Sequence, residues 1–311
     1  MAAITHSAFR RLLSDFGGYG ALFTEMLSAK MILHENLGGS AWLKRRAQEG
    51  KVIYQLMVSD TVNLPEIIDR LAPLRPDGLD LNVACAAPTV TKQGGGADLF
   101  RDMARLREIV QVMRKSFDGP LTAKIRLGKE APGWKDLFWE RLHLLKNEGV
   151  DALTVHPRFY EEKFKRSARH VLYAEIAAQA GIPVIANGDI TGVDYYRDRL
   201  DLFAPVAGIM IGRTAAACPW VFGRWHNPDL PVDHAEVWER LCDYIAEDFT
   251  PDQALTRIKV YVPYYARNFV FGHELFRKVQ SAPDCETARK RAREFFAASP
   301  ELVKLVGVGG I

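Results

Sequence analysis

The stretch LTAKIRLGKEAPGWKDLFWERLHLLKNEGVDALTVHPR, residues 121–158, reads as one strand–helix–strand unit. Residues 121–126 and 152–155 are short and rich in apolar and β-branched side chains, as strands are. Between them, residues 134–148 repeat apolar side chains at helical spacing. The same unit recurs on both sides. Further strands are expected at 21–24, 52–57, 78–82, 183–186 and 208–211, with helices at 7–16, 64–74, 97–116 and 171–180. Continuously apolar strands alternating with helices imply a parallel sheet covered by helices.

Seven strands are counted, and a (β/α)8 barrel needs eight. The first helix begins only a few residues into the chain, so the first strand is expected to be missing, or reduced to a stub at 1–4. The expected fold is therefore an α/β TIM barrel with a truncated first strand. From about Val232 the strand rhythm stops. Residues 237–249, 252–268, 272–281 and 285–298 read as helices, and 227–233, with two prolines, reads as a linker. The expected domains are a barrel at 1–226 and a helical unit at 234–311.

The composition is that of an ordinary globular protein. The chain has 311 residues, 48% of them hydrophobic and 25% charged, with a net charge of +3. This excludes a disordered tail protein and a small disulfide scaffold. Cys85, Cys218, Cys242 and Cys285 show no C-x-x-C spacing, and reduced thiols in a cytoplasmic protein are expected. No 18-residue apolar run suggests a membrane span, and no targeting segment is read at the N-terminus. A monomer is expected.

In a β/α barrel, chemistry gathers at the C-terminal ends of the strands. Here those ends carry Glu25, Gln55, Asn82 with Cys85, Lys124 with Arg126, His156 with Arg158, Asn187 with Asp189, and Gly212 with Arg213. No His, Asp or Glu cluster suggests a catalytic metal. No G-x-G-x-x-G follows an early strand, so a nicotinamide-binding Rossmann unit is not expected. Glycines after the last two strands let backbone amides approach an anion, which suggests a phosphate grip. Lys124 is cheaper pointing into the mouth than outward, where its ammonium would be buried in apolar packing. Cys85 lies three residues beyond Asn82, placing a reachable thiol at the mouth, whereas the other three cysteines sit in apolar helical contexts and read as core. Gln55 suits the edge of a heterocycle, and His156 suits a hydrogen-bond or proton-transfer role.

This constellation resembles the tRNA-dihydrouridine synthases. The resemblance rests on LNVAC (81–85), TVTKQGGGADLF (89–100), LTAKIRLG (121–128), LTVHPR (153–158), IPVIANGDI (182–190) and GIMIGRTAAACPWVF (208–222). FRRLLSDFGGYGALFTEMLSA (9–29) and YQLMVSD (54–60) are also similar to the family's early elements. The motifs follow the family's order through most of the chain. The resemblance implies an FMN-dependent enzyme that uses NADPH to reduce the C5–C6 double bond of a tRNA uridine. It further implies that Gln55, Lys124, His156, Asn187, Gly188, Asp189, Gly212 and Arg213 hold FMN. Asn82, Arg126 and Arg158 would meet the substrate, and Cys85 would give a proton to C5. An ordinary thiol is protonated at neutral pH and can do so. The uridine would have to be flipped from its stack.

Nine cations between Arg257 and Arg293 face only Glu274, Asp284 and Glu286, and Tyr261, Tyr264, Tyr265, Phe269 and Phe271 are interleaved with them. Beside an RNA-modifying barrel, this suggests a phosphate-binding surface. Two departures from the family pattern stand out. Its Gly-Cys-Pro is Ala84-Cys85-Ala86 here, which is expected to leave the Cys85 loop freer. Its opening strand, ending Ala-Pro-Met, is not present before Ala2, which is expected to weaken FMN retention. The alternatives are an FMN-dependent small-molecule pyrimidine oxidoreductase of the dihydroorotate or dihydropyrimidine dehydrogenase kind, and a non-catalytic tRNA-binding protein with the same fold.

Overall fold

The computed structural model describes residues 1–304. Eight strand segments form one parallel sheet: β1 (Leu22–Phe23), β2 (Leu27–Ser28), β3 (Val52–Met57), β4 (Gly78–Asn82), β5 (Leu121–Arg126), β6 (Ala152–His156), β7 (Val184–Asn187) and β8 (Gly208–Met210). The order is β1-β3-β4-β5-β6-β7-β8, with β2 also paired to β3. Every pairing is parallel. The curled sheet with helices on its outer face is the TIM-barrel-like α/β fold expected from the alternation. Among the described residues no ladder joins β8 to β1 or β2, and residues 1–6 contribute no strand.

The expected strand at 21–24 is two segments. Leu22 pairs with Val52, but Leu27 pairs with Leu56, so three residues on one strand span two on the other. That is a β-bulge at residues 24–26, and within it Glu25 Oε1 accepts from the Ala3 amide at 2.6 Å. The helix expected over 97–116 is also broken, into Ala97–Arg101 and Met103–Ser116. Asp102 is extended and its side chain accepts from the Arg105 amide at 3.1 Å, so it caps a new helix rather than continuing the old one.

Inner and outer faces follow the pleat. On β5, Leu121, Ala123 and Ile125 are buried under the helices, while Thr122, Lys124 and Arg126 line the barrel interior and are half-buried. Four helices follow the sheet: His234–Asp248, Pro251–Tyr265, Gly272–Gln280 and Cys285–Ala297. Asp233 caps the first through the Ala235 and Glu236 amides, and Thr250 with Gln253 forms a capping box on the second. Trp238, Tyr261, Tyr265 and Phe269 pack edge and face into one another as the core of this region. Residues 305–311 of the expected helical unit lie outside the described residues.

Candidate active site

The strand register sets the site in layers. Gln55, Asp80 and Thr122 are in register on β3, β4 and β5. One layer nearer the mouth, Asn82, Lys124 and Thr154 are in register, and Arg126 is paired with His156. Asp80 is fully buried. It accepts from Thr122 Oγ1 at 2.6 Å and from Gln55 Nε2 at 2.7 Å. Gln55 Oε1 accepts from Asn82 Nδ2 at 2.9 Å. Burial pushes the Asp80 carboxyl up to about 6, against those two hydrogen bonds and the charge of Lys124.

The loop carrying Cys85 is fastened from both sides. The Cys85 amide donates to Asn82 Oδ1 at 3.0 Å, and its carbonyl accepts from the Ala97 amide at 2.8 Å. Both hydrogen bonds are made by the backbone of Cys85, not by its thiol. Gly96 makes this possible. It has φ +57°, and a Cβ there would stand 2.3 Å from the Cys85 carbonyl oxygen. Gly96→Ala is expected to cost about 1–3 kcal/mol of stability, measured by urea unfolding, because the alanine is both strained and blocked. The Cys85 thiol is half-exposed. Cys218 and Cys242 are buried, whereas Cys285, expected in the core, is also half-exposed because it opens the last helix.

Lys124 makes no hydrogen bond or ion pair among the described residues. Burial, then the neighbouring Arg126, lowers its ammonium to about 8. His156 is buried, and burial together with Lys124, Arg126, Arg158 and Arg213 holds it far below the usual imidazole range. It is therefore neutral. Its Nε2 lies 2.8 Å from Arg158 Nη1, which can only donate, so the ring proton belongs on Nδ1. Thr154 Oγ1 is buried with no partner among the described residues.

Past β7, Asn187 Nδ2 donates to the Met210 carbonyl at 2.9 Å, tying β7 to β8. Gly188 has φ +116°, and a Cβ there would stand 2.7 Å from His156 Cδ2, so the chain passes directly over the imidazole. Asp189 holds Arg158 through one carboxylate oxygen and Arg213 through the other. These ion pairs hold its carboxyl below the usual range despite its burial. Arg158 is buried, spent on His156, Asp189 and the Arg166 carbonyl. Arg126, Arg158 and Arg213 all lie within 6 Å of the Phe164 ring, which is 45% exposed on the loop after β6. The Met1 Sδ is 3.4 Å from the position a Gly212 Cβ would take.

Sequence reading missed Asp80, Thr154 and Phe164. Asp80 and Thr154 carry a usable signal: each sits two residues before a chosen site residue, hence on the same strand face. Phe164 has none, since its place depends on three arginines from separate strand ends. Two cavities, of about 190 and 290 Å³, share Glu35 and Trp42 and lie beside the mouth, not over Cys85. Among the described residues no His, Cys, Asp and Glu group could hold a metal, and no helix is long and apolar enough to cross a membrane.

The curled β/α sheet gathers a thiol, an ammonium, amides and a neutral imidazole at the C-terminal ends of its strands, where β/α barrels carry their sites. More narrowly, the chain belongs to the dihydrouridine synthase (Dus) family, whose model matches residues 1–295. A tRNA-dihydrouridine synthase B from Pseudomonas putida is 28% identical over 309 residues, 96% of this chain and 90% of its own. A probable tRNA-dihydrouridine synthase from Helicobacter pylori is 26% identical over 95% of this chain and 90% of its own. A tRNA-dihydrouridine(16) synthase from Neisseria meningitidis is 28% identical, covering 95% and 92%. Among solved structures, an oxidised active mutant of (S)-mandelate dehydrogenase overlays 82% of this chain and 71% of its own at 16% identity. Its TM-score of 0.42 is too low to add to the assignment.

Proposed function

We propose that this protein is a cytoplasmic tRNA-dihydrouridine synthase that binds FMN in the barrel mouth and reduces the C5–C6 bond of a tRNA uridine at the expense of NADPH. The observation that carries the reading is the pairing of a fastened, half-exposed Cys85 thiol with the unpartnered Lys124 ammonium across one mouth. The family match extends through the C-terminal helices, which a small-molecule pyrimidine oxidoreductase would not need.

The residues present fit a bound flavin. Among the described residues the Lys124 ammonium has no ion-pair partner and Thr154 Oγ1 is buried without a hydrogen bond, which leaves one cation and one hydroxyl for a polar ring system; Gly188, whose backbone packs directly on His156, has room for no side chain. Gln55, Lys124 and His156 would hold the ring system. Asn187, Gly188, Gly212 and Arg213 would hold the phosphate end, with Asp189 keeping Arg213 in place. When bound and reduced, FMN would supply the hydride chemistry at C6. Lys124 offsets negative charge on the ring system. Asn82 and Arg126 orient the base, with Arg158 behind His156. Cys85 gives the proton to C5 and is left as a thiolate that solvent reprotonates. The barrel at 1–226 would carry the chemistry. The helical unit from 234 would meet phosphates through exposed cations such as Arg277 and Lys290, because Arg289 and Arg293 are already paired with Glu239.

FMN titration of the stripped protein, read by flavin fluorescence, tests the cofactor half. One equivalent is expected to bind. Affinity should fall as pH rises through about 8, because the free Lys124 ammonium loses its proton there. Lys124→Met should bind more weakly and lose that alkaline dependence. No binding, or an unchanged profile in Lys124→Met, would contradict the assignment.

A further inference from the structure

The fully buried Asp80 lies at the end of a directional hydrogen-bond chain. An ionised carboxylate only accepts, and a backbone amide only donates. Between Asp80 at one end and the Ala84 and Cys85 amides at the other stand two side-chain amides. Gln55 Nε2 donates to Asp80 Oδ2, Asn82 Nδ2 donates to Gln55 Oε1, and Asn82 Oδ1 accepts from Cys85 N and Ala84 N. The fixed polarity of the two ends leaves one orientation for both amides that satisfies every link. Thr122 Oγ1 holds the other carboxylate oxygen at 2.6 Å, so Asp80 cannot turn away.

We propose that Asp80 is a positioning residue. It sets the amide orientation of Gln55 and Asn82, and through them it aims the Cys85 thiol across the mouth. The proposal rests on the reading of Cys85 as the proton donor, but its test does not. Asp80 touches neither substrate nor cofactor. It acts through Asn82, which faces the base, and Gln55, which faces the flavin. Without it the Gln55 amide is free to turn over. Asn82 then turns with it, and an NH2 group is presented to two amide donors.

The test moves the carboxylate along the chain. Asn82→Asp places a carboxylate on each side of Gln55, whose amide can donate toward only one, so one junction becomes oxygen against oxygen. In the double variant Asp80→Asn with Asn82→Asp the chain runs backwards but is complete. Asn at 80 donates to Gln55 Oε1, Gln55 Nε2 donates to Asp at 82, and that carboxylate accepts from the Cys85 amide. Asp80→Asn alone keeps an acceptor for Gln55 and turns its NH2 to the Thr122 hydroxyl.

The readout is the alkylation rate of Cys85 by iodoacetamide in the full chain, resolved by peptide, with Cys285 as the internal control. It is taken at the alkaline plateau, where added charge no longer changes the thiolate fraction. Asn82→Asp and Asp80→Leu are expected to speed Cys85 alkylation about fivefold, the size of one lost hydrogen bond. Asp80→Asn and the double variant should stay within about twofold of the parent. A double variant as fast as Asn82→Asp, or faster, overturns the proposal, as does an unchanged rate in Asn82→Asp. If Asp80→Leu fails to fold, the Asn82→Asp pair still decides. A Cys85→Ala variant that still reduces tRNA would sink the proton-donor reading while leaving these rates interpretable.

Discussion

Cys85→Ala is expected to lower dihydrouridine formation by about 10²–10⁴-fold, the usual worth of a positioned general acid. FMN binding and tRNA affinity should stay at the parental level. The separation follows from the geometry. Cys85 is held by its backbone, through Asn82 Oδ1 and the Ala97 amide, and neither hydrogen bond uses the thiol. Removing the sulfur therefore leaves the loop in place and deletes only the group proposed to give the proton. Reduction of the flavin by NADPH, followed by its bleaching, should be unchanged. Re-oxidation of the reduced flavin by tRNA should be slow. Cys85→Ser retains a hydroxyl of much higher pKa and should rank close to alanine. A Cys85→Ala enzyme within a few-fold of the parent would move the proton source to another group or to solvent.

Arg10→Met is expected to cost about 3–5 kcal/mol of stability. Arg10 and Glu49 form an ion pair at 2.8 Å with both side chains wholly excluded from solvent. Arg10 also donates to the Thr5 carbonyl at 2.9 Å and the Lys44 carbonyl at 2.7 Å. The guanidinium thus pins the first helix to the segment after β2. Burial already raises the Glu49 carboxyl above its usual range even with Arg10 beside it. Without Arg10, Glu49 must either stay charged and unpaired or take up a proton. Melting followed by circular dichroism should show a drop on the order of 10 °C. Arg10→Met combined with Glu49→Leu should recover much of the loss, since the buried charge goes with its partner. A drop of a degree or two in Arg10→Met would show that the pair is not the clasp described.

The sheet was legible in residues 121–158 because period-2 and period-3.6 patterns are long there and separated by clear turns. The bulge between β1 and β2 was not legible. One inserted residue leaves the apolar pattern looking like a single short strand. The break at Asp102 was masked by apolar spacing that runs on across it, while the deciding interaction is a local side-chain cap. Most of the mouth could be read, because strand-end positions follow from strand boundaries alone. What sequence could not supply is which polar groups are already spent. Arg158 and Asp189 look like open contacts in the sequence, but they are paired with one another, Arg158 also with His156 and the Arg166 carbonyl, and Asp189 also with Arg213 and the Ala168 amide. Tyr261, Tyr265 and Phe269 look like an aromatic RNA surface but are the core of the helical region, leaving Phe271 exposed.

Mass mapping of an unmodified tRNA transcript, after incubation with FMN-loaded protein and NADPH, decides whether the chain is a tRNA-dihydrouridine synthase. A uridine is expected to gain two hydrogens, dependent on flavin and lost with Cys85→Ala, with free uracil and dihydroorotate untouched. A protein that holds FMN and binds the transcript but leaves every uridine unchanged would contradict that reading.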